Sequence, residues 1–486
     1  MCSSDLVAKY FKWIMFSHTW EGKEPTLKDV NLVDSVWKLD DSPLNEKLRQ
    51  FCTTASKDYR WAWSDTCCID KDTSAILSQS LIAMYSWYEK AAETVVYLAD
   101  VLSSAELDDL ALTNSRWMTR AWTLQELLAS KVVRFYNRDW KLYLNDTHAN
   151  HKESPAIKQE LAKAMGVDPD TITSFQPEDL GVREKLRLAS TRNATVEEDI
   201  AYSLIGIFSS NIAPRYGLGS KALGELLENI VARTGDVTVI AWTGKSLPYN
   251  SALPDSLAVY REPPYSPPPM EENEFDTRVE QLRTQLTAED AVAFRYRVTQ
   301  LPRVTFSNGC LQLPCIIFYV TKIGVQELGN SQGTRYRASV SSLGKVEFRT
   351  ADVMPLERPR KLMFVYPWLH DLQDPVDGFM PDDEPESESE GSNDEAEAGS
   401  DAGLGDADDA SAPASPLRAK PLPQADPYTL GLRLITRLGR HFNALLLEQQ
   451  SDGRYKRVGA EYEIIVPGVP SKTKPKDIKL KVVEIV

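Results

Sequence analysis

The chain has 486 residues, is 42% hydrophobic and carries a formal charge of minus 15 at neutral pH, which allows two or three domains and a sizeable core. The acidity is local: residues 371–410 hold 16 acidic side chains and no basic one, so the rest is close to neutral and gives no general electrostatic case for nucleic acid or anionic membrane. No apolar run approaches the roughly 20 residues that cross a bilayer, and the N-terminus lacks the layout of a signal peptide, so no membrane span and a soluble cytoplasmic protein are expected.

Six cysteines, at 2, 52, 67, 68, 310 and 315, are few and irregular, which suits reduced thiols. Neither they nor the five scattered histidines have metal-ligand spacing, so no metal or resident cofactor is expected.

In chain order, Lys12–Ser17 is a short apolar run that ends in His18, Thr19 and Trp20, the pattern of a buried strand opening into a loop. Leu44–Ser56 suits a helix with Leu44, Leu48, Phe51, Cys52 and Ala55 on one face. Trp61–Ile69 is aromatic and strand-like and ends at Asp70. Ser74–Ala92 has helical spacing, Thr94–Ala99 is a β-branched strand ended by Asp100, and Lys131–Tyr136 is a further strand. This alternation predicts an open, mostly parallel α/β sheet, whose ligands bind beyond the carboxyl ends of the strands. Ser17, Trp20, Asp65, Asp70 and Asp100 fall at such ends, where ordinary turn chemistry is the competing reading.

Between the last two strands lies Ser115–Leu128, the densest meeting of aromatic, cationic and carboxylate groups in the chain. Trp117, Ala121, Leu124 and Leu128 share one helical face, and Glu126 follows Trp122 by one turn, within reach of Arg116 or Arg120. Two readings stand: Thr123-x-x-Glu126 fits a capping box, in which Glu126 closes a helix start, or the carboxylate serves a site. The arginines could hold phosphates or neutralise Glu126.

Beyond Trp140 the pattern turns helical, with amphipathic stretches at Pro155–Met165, Pro177–Ser190, Val196–Phe208 and Ala222–Arg233. Thr195-x-x-Glu198 fits a second capping box. Tyr216-Gly-Leu-Gly-Ser-Lys221 lacks the Gly-Lys-Ser/Thr ending of a phosphate loop and reads as a helix-opening turn.

Residues 261–290 form a proline-rich connector. Strands are expected at Val292–Val298, Val304–Phe306, Cys315–Lys322, Arg335–Val340, Lys345–Arg349, Leu430–Leu438, Ala444–Gln449 and Tyr462–Val466. The acidic segment 371–426 is poor in aromatics and predicts a disordered insertion, with Ser387, Ser389 and Ser392 open to phosphorylation. The domains expected are an α/β core (1–145), a helical extension (146–260), the connector, and a β-rich domain in two parts (291–370 and 427–486).

Four blocks resemble the fungal HET (heterokaryon incompatibility) domain: Phe-Ser-His-Thr-Trp-Glu-Gly (16–22), Trp-Ser-Asp-Thr-Cys-Cys-Ile-Asp (63–70), Met-Tyr-Ser-Trp-Tyr-Glu-Lys-Ala (84–91) and Trp-Met-Thr-Arg-Ala-Trp-Thr-Leu-Gln-Glu-Leu (117–127). Residues 191–208 resemble a segment that follows in basidiomycete members. The resemblance implies a TIR-related, flavodoxin-like fold. Trp122-Thr-Leu-Gln-Glu126-Leu is also similar to the TIR segment whose glutamate cleaves NAD, and this implies a catalytic Glu126, with NAD as substrate and Trp20 or Trp122 stacking on a flat ring. The implied function is an allorecognition effector of cell death that acts when copies of the domain self-associate, with an unidentified sensor or partner protein. The alternative is a non-catalytic assembly module.

Overall fold

The computed structural model describes residues 11–102, 110–330, 333–350, 353–354, 361–367, 426–470 and 473–486. The acidic insertion expected over 371–426, with its three serines, lies outside the described residues except for Asp426.

The N-terminal sheet is built from β1 (Trp13–His18), β2 (Trp61–Ser64), β3 (Glu93–Tyr97) and β4 (Val133–Tyr136), all parallel, in the order β2-β1-β3-β4. The order of the strands reverses between β1 and β3, where a ligand crevice is expected, but the cavity that forms lies one strand over, beyond the carboxyl ends of β1 and β2. Alternation along each strand feeds two cores. Met15, Val96, Val133 and Phe135 face the larger cluster, with Leu81, Met84, Trp117 and Leu124. Ile14, Phe16, Val95 and Tyr97 face the other, against Leu48 and Phe51 of the helix Pro43–Ala55. The α/β expectation is met, since helices Pro43–Ala55 and Ser74–Lys90 fall between the strands as the apolar spacing required.

The stretch Ser115–Leu128 is not one helix. A 3-10 turn, Arg116–Thr119, is capped by Ser115, and an α-helix runs Trp122–Ala129. Between them Arg120 is extended and pairs with Asn193: the Asn193 amide donates to Thr119 O at 2.7 Å and the Ala121 amide to Asn193 O at 2.9 Å. These bonds to a segment some seventy residues downstream override the local helical period. Every residue from Thr123 to Ala129 is buried, so the helix sits inside the molecule between the sheet and the helical extension.

The extension supplies helices Pro155–Met165, Val182–Ala189, Asp199–Tyr202 and Lys221–Thr234. It packs tightly on the sheet layer at Gly206, where a Cβ would lie 2.1 Å from Tyr85 Cβ. Only a residue without a side chain allows that approach.

The C-terminal half holds a closed ring of strands. Cys310–Asn330 pairs on one side with Leu362–Tyr366 and on the other with Lys479–Ile485; Leu362–Tyr366 continues to Phe442–Gln449 and Tyr455–Arg457, and Tyr455 meets Ile485. The far half of the 21-residue strand Cys310–Asn330 leaves the ring and pairs with Gly333–Val340, which pairs with Gly344–Thr350.

Two expected strands are helices. Val292–Val298 lies in the helix Ala288–Thr299, which buries Ala291, Phe294 and Val298, a spacing of three and four. Leu430–Leu438 lies in the helix Pro427–Leu438, opened by Asp426 accepting from the Tyr428 and Thr429 amides with Pro427 in the first turn. A further helix, Glu272–Arg283, occupies the stretch read as a connector.

The ring is keyed to the extension by Arg457. Its buried guanidinium stacks 3.6 Å from the Trp242 ring centre and donates to Ile240 O at 2.8 Å and Trp242 O at 2.5 Å. Burial pulls its pKa down to about 9, although it stays cationic at neutral pH.

Candidate functional site

At the carboxyl edge of β1 and β2 a cavity of about 510 Å³ opens, within the roughly 300–1,000 Å³ range of small-molecule sites. Strand ends give His18, Thr19, Trp20, Asp65 and Lys71; the broken segment gives Arg116, Arg120, Trp122 and Glu126; the extension gives Thr195, Asp199 and Tyr216.

Glu126 is the deepest acid in this wall, 6% exposed. The helix Trp122–Ala129 has no side-chain cap, and the Thr123 hydroxyl donates to the Trp117 and Arg120 carbonyls, so the capping-box reading of Thr123 and Glu126 fails. Instead a relay runs inward from the core. The buried Trp117 indole donates to Ser17 Oγ at 2.8 Å, and the Ser17 hydroxyl donates to the Glu126 carboxyl. Strand alternation explains the meeting: Ser17, next to Met15 in register, points to the same face as Trp117.

Burial pushes the Glu126 pKa up to about 8, opposed by the Ser17 hydroxyl, the Tyr88 hydroxyl and the Arg192 charge, and reinforced by Asp65. At neutral pH the carboxyl therefore mostly holds its proton. The expected ion pair with Arg116 or Arg120 does not form. Arg116 instead bonds Glu21 at 2.7 Å and approaches Asp100 at 3.5 Å, and Arg120 donates to Thr195 Oγ1 at 3.1 Å. The cation that acts on Glu126 is the buried Arg192.

The opposite wall is a second cluster. Asp65 accepts from the Trp20 indole at 2.8 Å, and the Lys71 ammonium lies 3.6 Å from the Trp20 ring centre. Burial raises the Asp65 pKa to about 6, against the pull of Lys71 and the indole. His18 stacks on Phe16 with ring centres 4.2 Å apart. Both its ring nitrogens and the Thr19 hydroxyl are buried without a partner among the described residues. Burial, with Lys47 and Lys71 near, drives the His18 pKa well below its ordinary value, so the ring is neutral. These sealed polar atoms beneath the cavity wall are a feature that no described residue satisfies.

The third wall comes from the extension. Asp199 accepts from the Tyr216 hydroxyl at 2.8 Å, with the Trp122 indole and Arg120 beside it, and burial raises its pKa. The second expected capping box also fails. Glu198 accepts from the Gly217 and Gly219 amides at 2.7 and 2.9 Å, so the Gly-rich turn already holds an internal anion.

Of the residues singled out in the sequence, Trp20, Asp65, Arg116, Arg120, Trp122 and Glu126 line the cavity, and Ser17 lies just behind it on Glu126. Asp70 is not among the lining residues; its carboxylate accepts from the Asp72 amide at 3.0 Å and the Thr73 hydroxyl at 2.7 Å. His18, Lys71, Asp199 and Tyr216 were missed. His18 and Lys71 adjoin residues that were chosen, and strand-end position was the available signal. No group of three or more His, Cys, Asp or Glu among the described residues could hold a metal ion, and no helix among them is long and apolar enough to cross a membrane.

Residues 13–113 match the family described as Heterokaryon incompatibility protein (HET). The chain is also similar to the vegetative incompatibility protein HET-E-1 of Podospora anserina, 34% identical over 228 residues. That match covers 45% of this chain and 16% of the relative's length. Together they support a protein that carries a heterokaryon incompatibility domain. No solved structure shows significant similarity to the chain.

Proposed function

We propose that this chain is a vegetative incompatibility effector, TIR-related and of basidiomycete type, which triggers cell death by cleaving NAD when copies self-associate. Glu126 would be the catalytic carboxylate. The observation that carries this reading is its place in the wall of a 510 Å³ cavity at the carboxyl edge of the sheet, with no capping duty.

The chemistry suits a lone carboxylate. Nicotinamide leaves as a neutral molecule, so no acid is required to protonate it, unlike the two-carboxylate hydrolysis of ordinary glycosides. What needs stabilising is positive charge on the ribose, and an anion fixed beside that ring favours the transition state over the ground state. The relay from Trp117 through Ser17 orients the carboxyl. The Trp20 and Trp122 rings offer flat surfaces to a base.

A carboxyl with a pKa of about 8 must lose its proton to do this work, so kcat/KM should rise with pH below about 8 and level above it. In a nicotinamide-release assay on concentrated protein, Glu126→Gln should lower turnover by a factor of roughly 10²–10³ while the cavity walls stay folded.

The protonated state of Glu126 at neutral pH and the engagement of Arg116 by Glu21 favour a second reading, a module that signals by assembly alone. Absence of turnover at every pH and protein concentration, with self-association intact, would select it.

A further inference from the structure

Behind the Arg120–Thr123 backbone lies a second hollow, of about 240 Å³, which shares no lining residue with the first. Its lining includes Arg187, Arg192 and Arg261, the Ser190 and Thr191 hydroxyls, and no carboxylate. We propose that it is a binding site for a small phosphate-type anion, held chiefly by Arg192 and Arg261.

Arg192 is 7% exposed. Its Nη1 is engaged, donating to Arg120 O at 3.0 Å and to Thr123 Oγ1 at 2.9 Å, while the other guanidinium nitrogens have no hydrogen-bond partner among the described residues, and Arg192 lines the hollow. Burial holds its pKa down to about 10, and the acid that favours its charge, Glu126, is mostly protonated at neutral pH. The protein thus keeps a cation in a nearly dry place whose acidic neighbour, Glu126, mostly holds its proton at neutral pH, and this costs free energy that a bound anion would offset. Arg261, at the mouth, has no ion pair among the described residues. Arg187 is already committed to Glu184 and to the Met165 and Gly166 carbonyls, and shapes the wall. Two arginines on the wall of one hollow, beside Ser190 and Thr191, supply the N–H donors that suit the tetrahedral oxygens of a phosphoryl group. The site stands independently of any NAD chemistry in the larger cavity.

Equilibrium dialysis of the full chain against radiolabelled inorganic phosphate at low ionic strength tests it, with adenosine monophosphate as a second probe. Saturable one-to-one binding is expected, weakened roughly tenfold by Arg261→Ala, whose exposed side chain leaves the fold undisturbed. Arg192→Lys, which keeps the charge but loses the fork, should weaken it similarly. Tighter binding of the nucleotide with the same Arg261 dependence would assign the site to a phosphomonoester, and equal binding to free phosphate. No saturation by roughly 10 mM, tenfold above a millimolar Kd, would overturn the proposal. So would binding unaffected by Arg261→Ala.

Discussion

Replacing Glu126 by Gln should make the protein's stability much less sensitive to alkali. In the folded state burial raises this carboxyl from its ordinary 4.5 to about 8, so between those values the native protein keeps a proton that the unfolded chain releases. The unfolded state then binds fewer protons, and stability falls as pH rises through this window, fully present below about 4.5 and lost by about 8. A shift of this size corresponds to about 5 kcal/mol at about 1.4 kcal/mol per pKa unit, of which about 4 kcal/mol falls between roughly pH 5 and pH 9. Glutamine keeps the oxygen that accepts from Ser17 but has no proton to lose. The variant should therefore gain about 4 kcal/mol on the wild type as pH is raised across that interval. Urea unfolding followed by tryptophan fluorescence is suited to the measurement, because nine of the eleven tryptophans lie in the first 140 residues and report on this unit. A difference between variant and wild type that stays constant from acid to alkaline pH would refute the reasoning, and with it the burial of an uncompensated carboxyl.

Two further outcomes concern the frame around the cavity. Arg457→Met should destabilise the protein by about 2–5 kcal/mol, since the Ile240 and Trp242 carbonyls lose their donor in a buried seam, and calorimetry should record the loss. Gly206→Ala should cost about 3 kcal/mol or prevent folding, because the new methyl would overlap Tyr85, whereas Gly181→Ala, with nothing within 4 Å, should stay within about 0.5 kcal/mol by thermal denaturation.

The N-terminal sheet was legible because each strand is a short apolar run with a polar stop and each intervening helix buries a regular face. In the C-terminal half the same reasoning went astray where runs were short. Leu430, Leu432 and Leu434 alternate like a strand, yet the decisive signal was Asp426-Pro427, a cap and first-turn pair that sat at the edge of the acidic segment. Val292–Val298 is too short for period alone to decide, and its helical spacing emerges only with Ala291 included. The strands Leu362–Tyr366, Tyr455–Arg457 and Lys479–Ile485 were missed, the last carrying lysines at alternate positions that point away from the ring core. At the site, strand-end position singled out Ser17, Trp20 and Asp65. Nothing local marks Asp199, Tyr216 or Arg192, because they reach Glu126's surroundings through contacts between distant segments, such as the pairing of Arg120 with Asn193.

That pairing has a practical consequence for dissecting the molecule. A fragment trimmed to the matched span, 13–113, would omit Glu126, and one cut near 145 would keep it but strip away Arg192, Asp199 and Tyr216. Such pieces would lay bare the helix Trp122–Ala129, whose flanks the extension now covers, and invite clumping that imitates a biological response. A piece that keeps Arg192, Asp199 and Tyr216 must run at least from β1 through the helix Lys221–Thr234, and that helix packs in turn on the later strands Asn250–Pro254 and Thr305–Ser307, so the whole chain is the fair object for such tests.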